Sequence, residues 1–175
     1  MQRSAAKFLP AYLALFYALT AFCSFAYADG PLVQTNTVAI GGAVEHPIKL
    51  GPADLATMPR TTVEASAHGE TGKWSGVALI EILKRAGVPL GEAMRGPKLL
   101  TYVRISAADG YAVVFSLAEL DPGFRDNTVL LADQRDGHAL DAKEGTFRLI
   151  VPAEKRPARW VRQVTRIDVI VAAKD

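Results

Sequence analysis

Two stretches of the chain hold the side chains best suited to chemistry. The first, Glu64 to Leu83, reads EASAHGETGKWSGVALIEIL and sets Ser66, His68, Lys73 and Trp74 among glycines. The second, Arg148 to Arg166, carries six basic residues, Arg148, Lys155, Arg156, Arg159, Arg162 and Arg166, against one acidic residue, Glu154. Glycine lets a backbone approach a ligand closely, and a loop rooted on regular elements holds its polar groups in place. Guanidinium forks match the oxygens of phosphate and carboxylate, so Lys155, Arg156 and Arg159, in a loop stiffened by Pro157, read as an anion-binding edge. The plain alternatives are turn glycines in the first stretch and, in the second, a solvated basic edge paired with the acidic stretch Glu119 to Glu144.

Other chemistry is thinly supplied. Trp74 and Trp160 are the only tryptophans; Trp160 reads as core, whereas Trp74 serves equally as core or as a pocket wall. His68 is suited to donate to an anion. With His46 and His138 in separate turns, the histidines have no zinc-like spacing, and no metal site is expected. Asp109 and Tyr111, in ADGY, make a hairpin turn, with Tyr111 a candidate for a pocket rim. No Ser-His-Asp order, paired carboxylates or phosphate loop is visible.

These residues need elements to place them. Val38 to Ile40 and Pro47 to Leu50 read as strands around the turn GGAVEH, and Gly51 to Pro59 as a short helical turn. Thr61 to Ala67 reads as a strand leading into a loop from Ser66 to Trp74. Val77 to Ala86 is the clearest helix: Leu79, Ile82, Leu83 and Ala86 recur at helical spacing, and Gly87 and Pro89 stop it. Two β-rich runs flank ADG as a hairpin, LAELDP is a helical turn, and TVLLAD is a buried strand. QRDGHAL is a turn, Phe147 to Pro152 is a strand, and Thr165 to Ala172 is a closing strand that alternates Ile167, Val169 and Val171 with Asp168. Strands dominate without βαβ alternation, which argues an α+β fold with a mostly mixed sheet and a few short helices.

At the N-terminus the run Phe8 to Ala28 is uncharged, follows Arg3 and Lys7, and ends Ala26-Tyr27-Ala28. That is the layout of an export signal, with residues 1–28 removed and residues 29–175 forming one domain; a retained anchor is the alternative reading. Without Arg3 and Lys7 the chain has 18 basic and 18 acidic residues, so net charge argues for neither nucleic acid nor a membrane as partner. The single cysteine, Cys23, lies within the signal, which leaves the mature chain without a thiol. The expected location is the periplasm or outside the cell.

The succession GGAVEHPIKLGPADLATMP, GKWSGVALIEILKRAGV, ISAADGYAVVFSL, LLADQRDGHAL and GTFRLIVPAEKRPARWVRQVTRIDV resembles the oxidoreductase molybdopterin-binding domain of the sulfite oxidase superfamily. The resemblance implies that fold over most of the mature chain, with W-x-G-V opening a helix. It also implies a cofactor-cradling loop at Lys155, Arg156 and Arg159, and Tyr111 at a pocket rim. In working members a cysteine thiolate before W-x-G-V ligates molybdenum, and here that segment offers Ser66 and His68. The resemblance also implies twin-arginine export of a loaded enzyme, and MQRSAAKF has no Arg-Arg pair. The expectation is therefore a protein that binds a small anionic or heterocyclic ligand, or a periplasmic protein, through Ser66, His68, Lys73, Trp74, Tyr111, Lys155, Arg156 and Arg159. No cofactor is expected, molybdopterin entering through the resemblance alone. The alternative is a molybdopterin-dependent oxidoreductase with Ser66 or His68 at the metal.

Overall fold

The structure, a computed structural model, describes residues 36–173; the export signal expected over residues 1–28 falls outside them. The described residues form two sheets and three short helices, the α+β architecture read from the sequence. No helix among them is long and apolar enough to cross a membrane.

The first sheet contains β1 (Val38–Gly42), β2 (Ile48–Leu50), β5 (Thr101–Ala107), β6 (Ala112–Ser116) and β10 (Val164–Val171), in the order β2-β1-β10-β5-β6. Only the β1–β10 pairing is parallel, so the sheet is mixed. Alternation along each strand sends one face inward. A single register row runs Ile48, Ile40, Ile167, Ile105, Val113 across all five strands. Ile40, Ile167 and Ile105 in that row are buried, and each such side chain contributes roughly 1.5–3 kcal/mol by leaving water. Val169 points inward as the alternation predicts, but Val171 is exposed and Asp168 is buried. Asp168 stays buried on the outer face because Arg166 and Arg104 close over its carboxylate, at 2.7 and 3.0 Å.

The second sheet has β3 (Arg60–Ala67), β4 (Glu70–Ala78), β7 (Leu130–Arg135) and β8 (His138–Ala139) in that order, with β9 (Arg148–Ile150) also paired to β7. Here the structure corrects the sequence reading. Ser66 to Trp74 is not a loop: β3 and β4 form one unbroken antiparallel ladder from Arg60↔Val77 to Ala67↔Glu70, turning at His68 and Gly69. Both turn residues have left-handed φ, +53° and +84°, the backbone of a tight two-residue hairpin. W-x-G-V belongs to the end of β4 rather than to a helix. Gly76 is required there by close approach, since a Cβ on it would lie 2.1 Å from the carbonyl oxygen of Leu131 on β7.

Helix α2 (Leu79–Arg85) begins directly after β4, two residues later than the periodicity predicts. Its first N–H donates to the Val129 carbonyl at 2.8 Å. Leu79, Ile82 and Leu83 are fully buried, and Gly87, at φ +77°, follows its end. Helices α1 (Pro52–Ala56) and α3 (Leu117–Leu120) are single turns, the second held by a capping box between Ser116 and Glu119. One hydrophobic cluster takes residues from both sheets and from α2.

Candidate functional site

Three turns converge on an open cleft of about 610 Å³, lined by His68, Ala107, Asp109, Tyr111, Arg156, Pro157, Ala158, Trp160 and Arg162. His68 comes from the tip of the β3–β4 hairpin. Asp109 and Tyr111 come from the β5–β6 turn, where the Asp109 carboxylate accepts the Tyr111 N–H at 2.8 Å and Gly110 takes φ +87°. The third wall is the segment after β9, which turns at Pro157–Arg159. It is anchored at two points. The Tyr111 hydroxyl donates to the Ala158 carbonyl at 2.6 Å, and the Trp160 indole N–H donates to the Val151 carbonyl at 3.0 Å.

Beneath the cleft the two tryptophans meet edge to face, their centroids 6.0 Å apart. Both are buried; Trp160 reaches the lining, and Trp74 supports it from below. The Arg148 guanidinium lies 4.9 Å from the Trp74 ring and 5.6 Å from the Trp160 ring, while Arg135 lies 5.1 Å from Trp74. Arg148 pairs with Glu144, and its Nε has no hydrogen-bond partner. Burial lowers the pKa of Arg148, the nearby charges of Arg162 and Arg135 lower it further, and Glu144 acts against them.

The cations of the basic segment thus divide into two groups. Arg148 is tied to Glu144. Arg159 is tied to Glu154 and Glu119, donates to the Val114 carbonyl at 3.0 Å, and stacks 4.0 Å from the Phe115 ring. Burial opposes the charge of Arg159, but the hydrogen bonds it donates to Glu154 and Glu119 outweigh it and raise the pKa. The pairing of basic edge with acidic stretch therefore holds for these two. Arg156 and Arg162 are exposed, line the cleft, and have no ion-pair partner among the described residues.

Of the residues predicted from sequence, the cleft brings together His68, Tyr111 and Arg156. Ser66 and Lys73 do not line it. They sit on the outward face of the hairpin, where the Ser66 hydroxyl bonds that of Thr71 at 2.6 Å and the Lys73 N–H donates to Asp136 at 2.9 Å. Lys155 is exposed but outside the lining, and Arg159 is withdrawn into its carboxylates. Arg162 and Asp109 also line the cleft; the sequence places Arg162 only within the basic segment and Asp109 only in its turn.

Chemically the cleft offers two free guanidiniums and an imidazole, with a carboxylate and a phenol at its other side. This set can hold an anion. No group of three or more His, Cys, Asp or Glu side chains that could hold a metal ion occurs among the described residues.

Residues 28–175 match the family model of the oxidoreductase molybdopterin binding domain. No curated protein matches the chain. Among solved structures, the sulfane dehydrogenase SoxCD from Paracoccus pantotrophus shares the fold, with a TM-score of 0.63 and 23% sequence identity. The alignment covers 79% of this chain and 39% of that one, so the chain spans well under half the length of this relative.

Proposed function

From the premise that the chain belongs to the oxidoreductase molybdopterin binding domain family, we propose that it is an exported member binding a small anionic or heterocyclic ligand without molybdenum redox chemistry. The observation that carries this reading is the pair of uncommitted arginines, Arg156 and Arg162, on one wall of a cleft beside which Arg148 and Arg159 are already paired with carboxylates. Charge-assisted hydrogen bonds from two guanidiniums suit a phosphate or carboxylate.

The donor set fits the cofactor of the family only in part. Its anionic part finds matching partners in Arg156 and Arg162, whereas its metal does not. A molybdenum already held by dithiolene sulfur is a soft centre, and the one cysteine of the sequence, Cys23, lies in the proposed signal. The alternative ligand Ser66 has its hydroxyl on Thr71 and lies outside the cleft lining. No catalytic step is therefore derived through the metal. Removal of residues 1–28 and a periplasmic or secreted location belong to the same reading. The binding partner is a small molecule held in the cleft or a protein presenting an anionic group there, with no role for nucleic acid.

Two measurements on protein purified from its host test the proposal. Metal analysis is expected to find molybdenum far below one atom per chain. Titration with inorganic phosphate is expected to show binding that Arg156→Ala and Arg162→Ala each weaken by about 1–3 kcal/mol. Stoichiometric molybdenum that is lost in His68→Ala would overturn the reading in favour of an oxidoreductase.

A further inference from the structure

One sheet edge among the described residues is long and left open. Edges present unpaired N–H and C=O groups to other chains, and proteins blunt them with short strands, bulges, proline, lysine or a covering segment. Here β2 and β9 have three residues each and β8 has two. Strand β6 is longer, but Arg159 occupies its Val114 carbonyl at 3.0 Å. Strand β3 has none of these protections. It runs eight residues, RTTVEASA, without proline, glycine or lysine, pairs with β4 without a register shift, and makes no other backbone hydrogen bond among the described residues.

The hairpin decides which groups face out. A two-residue loop makes Ala67↔Glu70 a hydrogen-bonded pair. Alternation then turns the N–H and C=O groups of Thr61, Val63 and Ala65 toward β4, and those of Arg60, Thr62, Glu64 and Ser66 outward. The latter four residues are exposed, and Arg60 and Glu64 give this face one charge of each sign. Arg60 donates once from each terminal nitrogen to Asp133, at 2.8 and 2.6 Å, and has further N–H groups to give.

We propose that β3 is a self-association edge, at which two copies of the chain pair β3 with β3 antiparallel about a two-fold axis at Thr62. The charges select both the occupant and the register. Only an axis through a residue position keeps like faces together. At Thr62 it sets Arg60 opposite Glu64 of the other copy, twice over. At Val63 neither charge faces its opposite, and at Glu64 the two carboxylates oppose each other. Across its own hairpin Glu64 already faces Lys73, so the other copy's Arg60 completes a row of cation, anion and cation. The pairing joins the second sheets of the two copies, and because it uses the same edge of both, assembly closes at two.

Sedimentation velocity of the purified protein from about 1 to about 100 μM is expected to show monomer converting to dimer, with no larger species. Glu64→Pro removes an outward N–H while the ladder to β4 loses no bond, and Glu64→Lys sets like charges across the axis. Each should weaken dimerisation by at least about tenfold. Tryptophan fluorescence reports whether the variants are folded, since Trp74 and Trp160 are buried. Thr62→Cys tests the register, because a hydrogen-bonded antiparallel pair holds its Cα atoms about 5.5 Å apart, within disulfide reach. After oxidation, peptide mapping is expected to find position 62 linked to position 62. A monomer across the whole concentration range, a dimer that folded Glu64→Pro or Glu64→Lys leaves intact, or a dimer without a link at position 62 overturns the proposal.

Discussion

Replacing Gly76 by alanine tests whether strand packing requires glycine in the W-x-G-V segment. The new Cβ would start 2.1 Å from the Leu131 carbonyl oxygen and 2.6 Å from the Ala132 Cα, both backbone atoms of β7. Ordinary contact requires the two strands to part by more than about 1 Å. Ladder bonds between β4 and β7 cannot stretch so far and persist. The affected pairs are Gly76↔Ala132 and its neighbour Val77↔Leu131, where Val77, Leu131 and Ala132 are fully buried. Losing two buried backbone bonds at about 1–3 kcal/mol each gives a cost of about 2–6 kcal/mol. Gly69→Ala is the control. It meets no atom within 4 Å and bears only the left-handed φ of +84°, worth about 1–2 kcal/mol. Urea unfolding followed by tryptophan fluorescence reads both variants, because the only tryptophans, Trp74 and Trp160, are buried near this strand. If Gly76→Ala costs no more than Gly69→Ala, the close approach of β4 and β7 is not what requires glycine at this position.

Two further outcomes follow from the division of charges. Arg159→Ala should destabilise by about 1–3 kcal/mol, because it strips partners from Glu154 and Glu119, yet leave anion affinity unchanged; a large loss of affinity in a fully folded variant would return Arg159 to the ligand site. Asp168, whose pKa is lowered first by its hydrogen bond from Arg166 and also by Arg104, should stabilise the fold fully above the carboxylate range of the unfolded chain, roughly pH 4. That stability should be lost as pH falls through the lowered value. Unfolding of the wild type and Asp168→Asn at about pH 7 and about pH 2 should therefore differ at neutrality and converge in acid, and a constant gap would remove the carboxylate charge from the explanation.

Most strands were legible because their apolar residues alternate or cluster between clear turns. The row through Ile40, Ile167 and Ile105 is the product of three such patterns. Strand β4 was not legible, and the reason is chemical. Its inward face is Gly72, Trp74 and Gly76, and glycine adds nothing to a hydropathy period, so the alternation with Thr71, Lys73 and Ser75 looked like a polar loop. The site failed in a different way. Arg159 and Arg162 stand three residues apart in one basic run, and local sequence cannot tell which will be matched by Glu119, forty positions earlier in the chain. Long-range neutralisation decides which cations remain available. Tyr111 and His68 were identifiable because turn chemistry made their neighbourhoods distinct.

The position of β10 governs how this molecule comes into being. The last strand among the described residues lies at the centre of its sheet, parallel to β1 and antiparallel to β5. A nascent chain emerging from the ribosome must therefore hold the β1–β2 and β5–β6 pairs without the strand that joins them until Val164–Val171 is released. Contacts more than a hundred residues apart, such as Ile40 with Ile167, cannot form during synthesis and make acquisition of the fold slow. Until Val164–Val171 has been made, the two halves of the sheet stay unjoined.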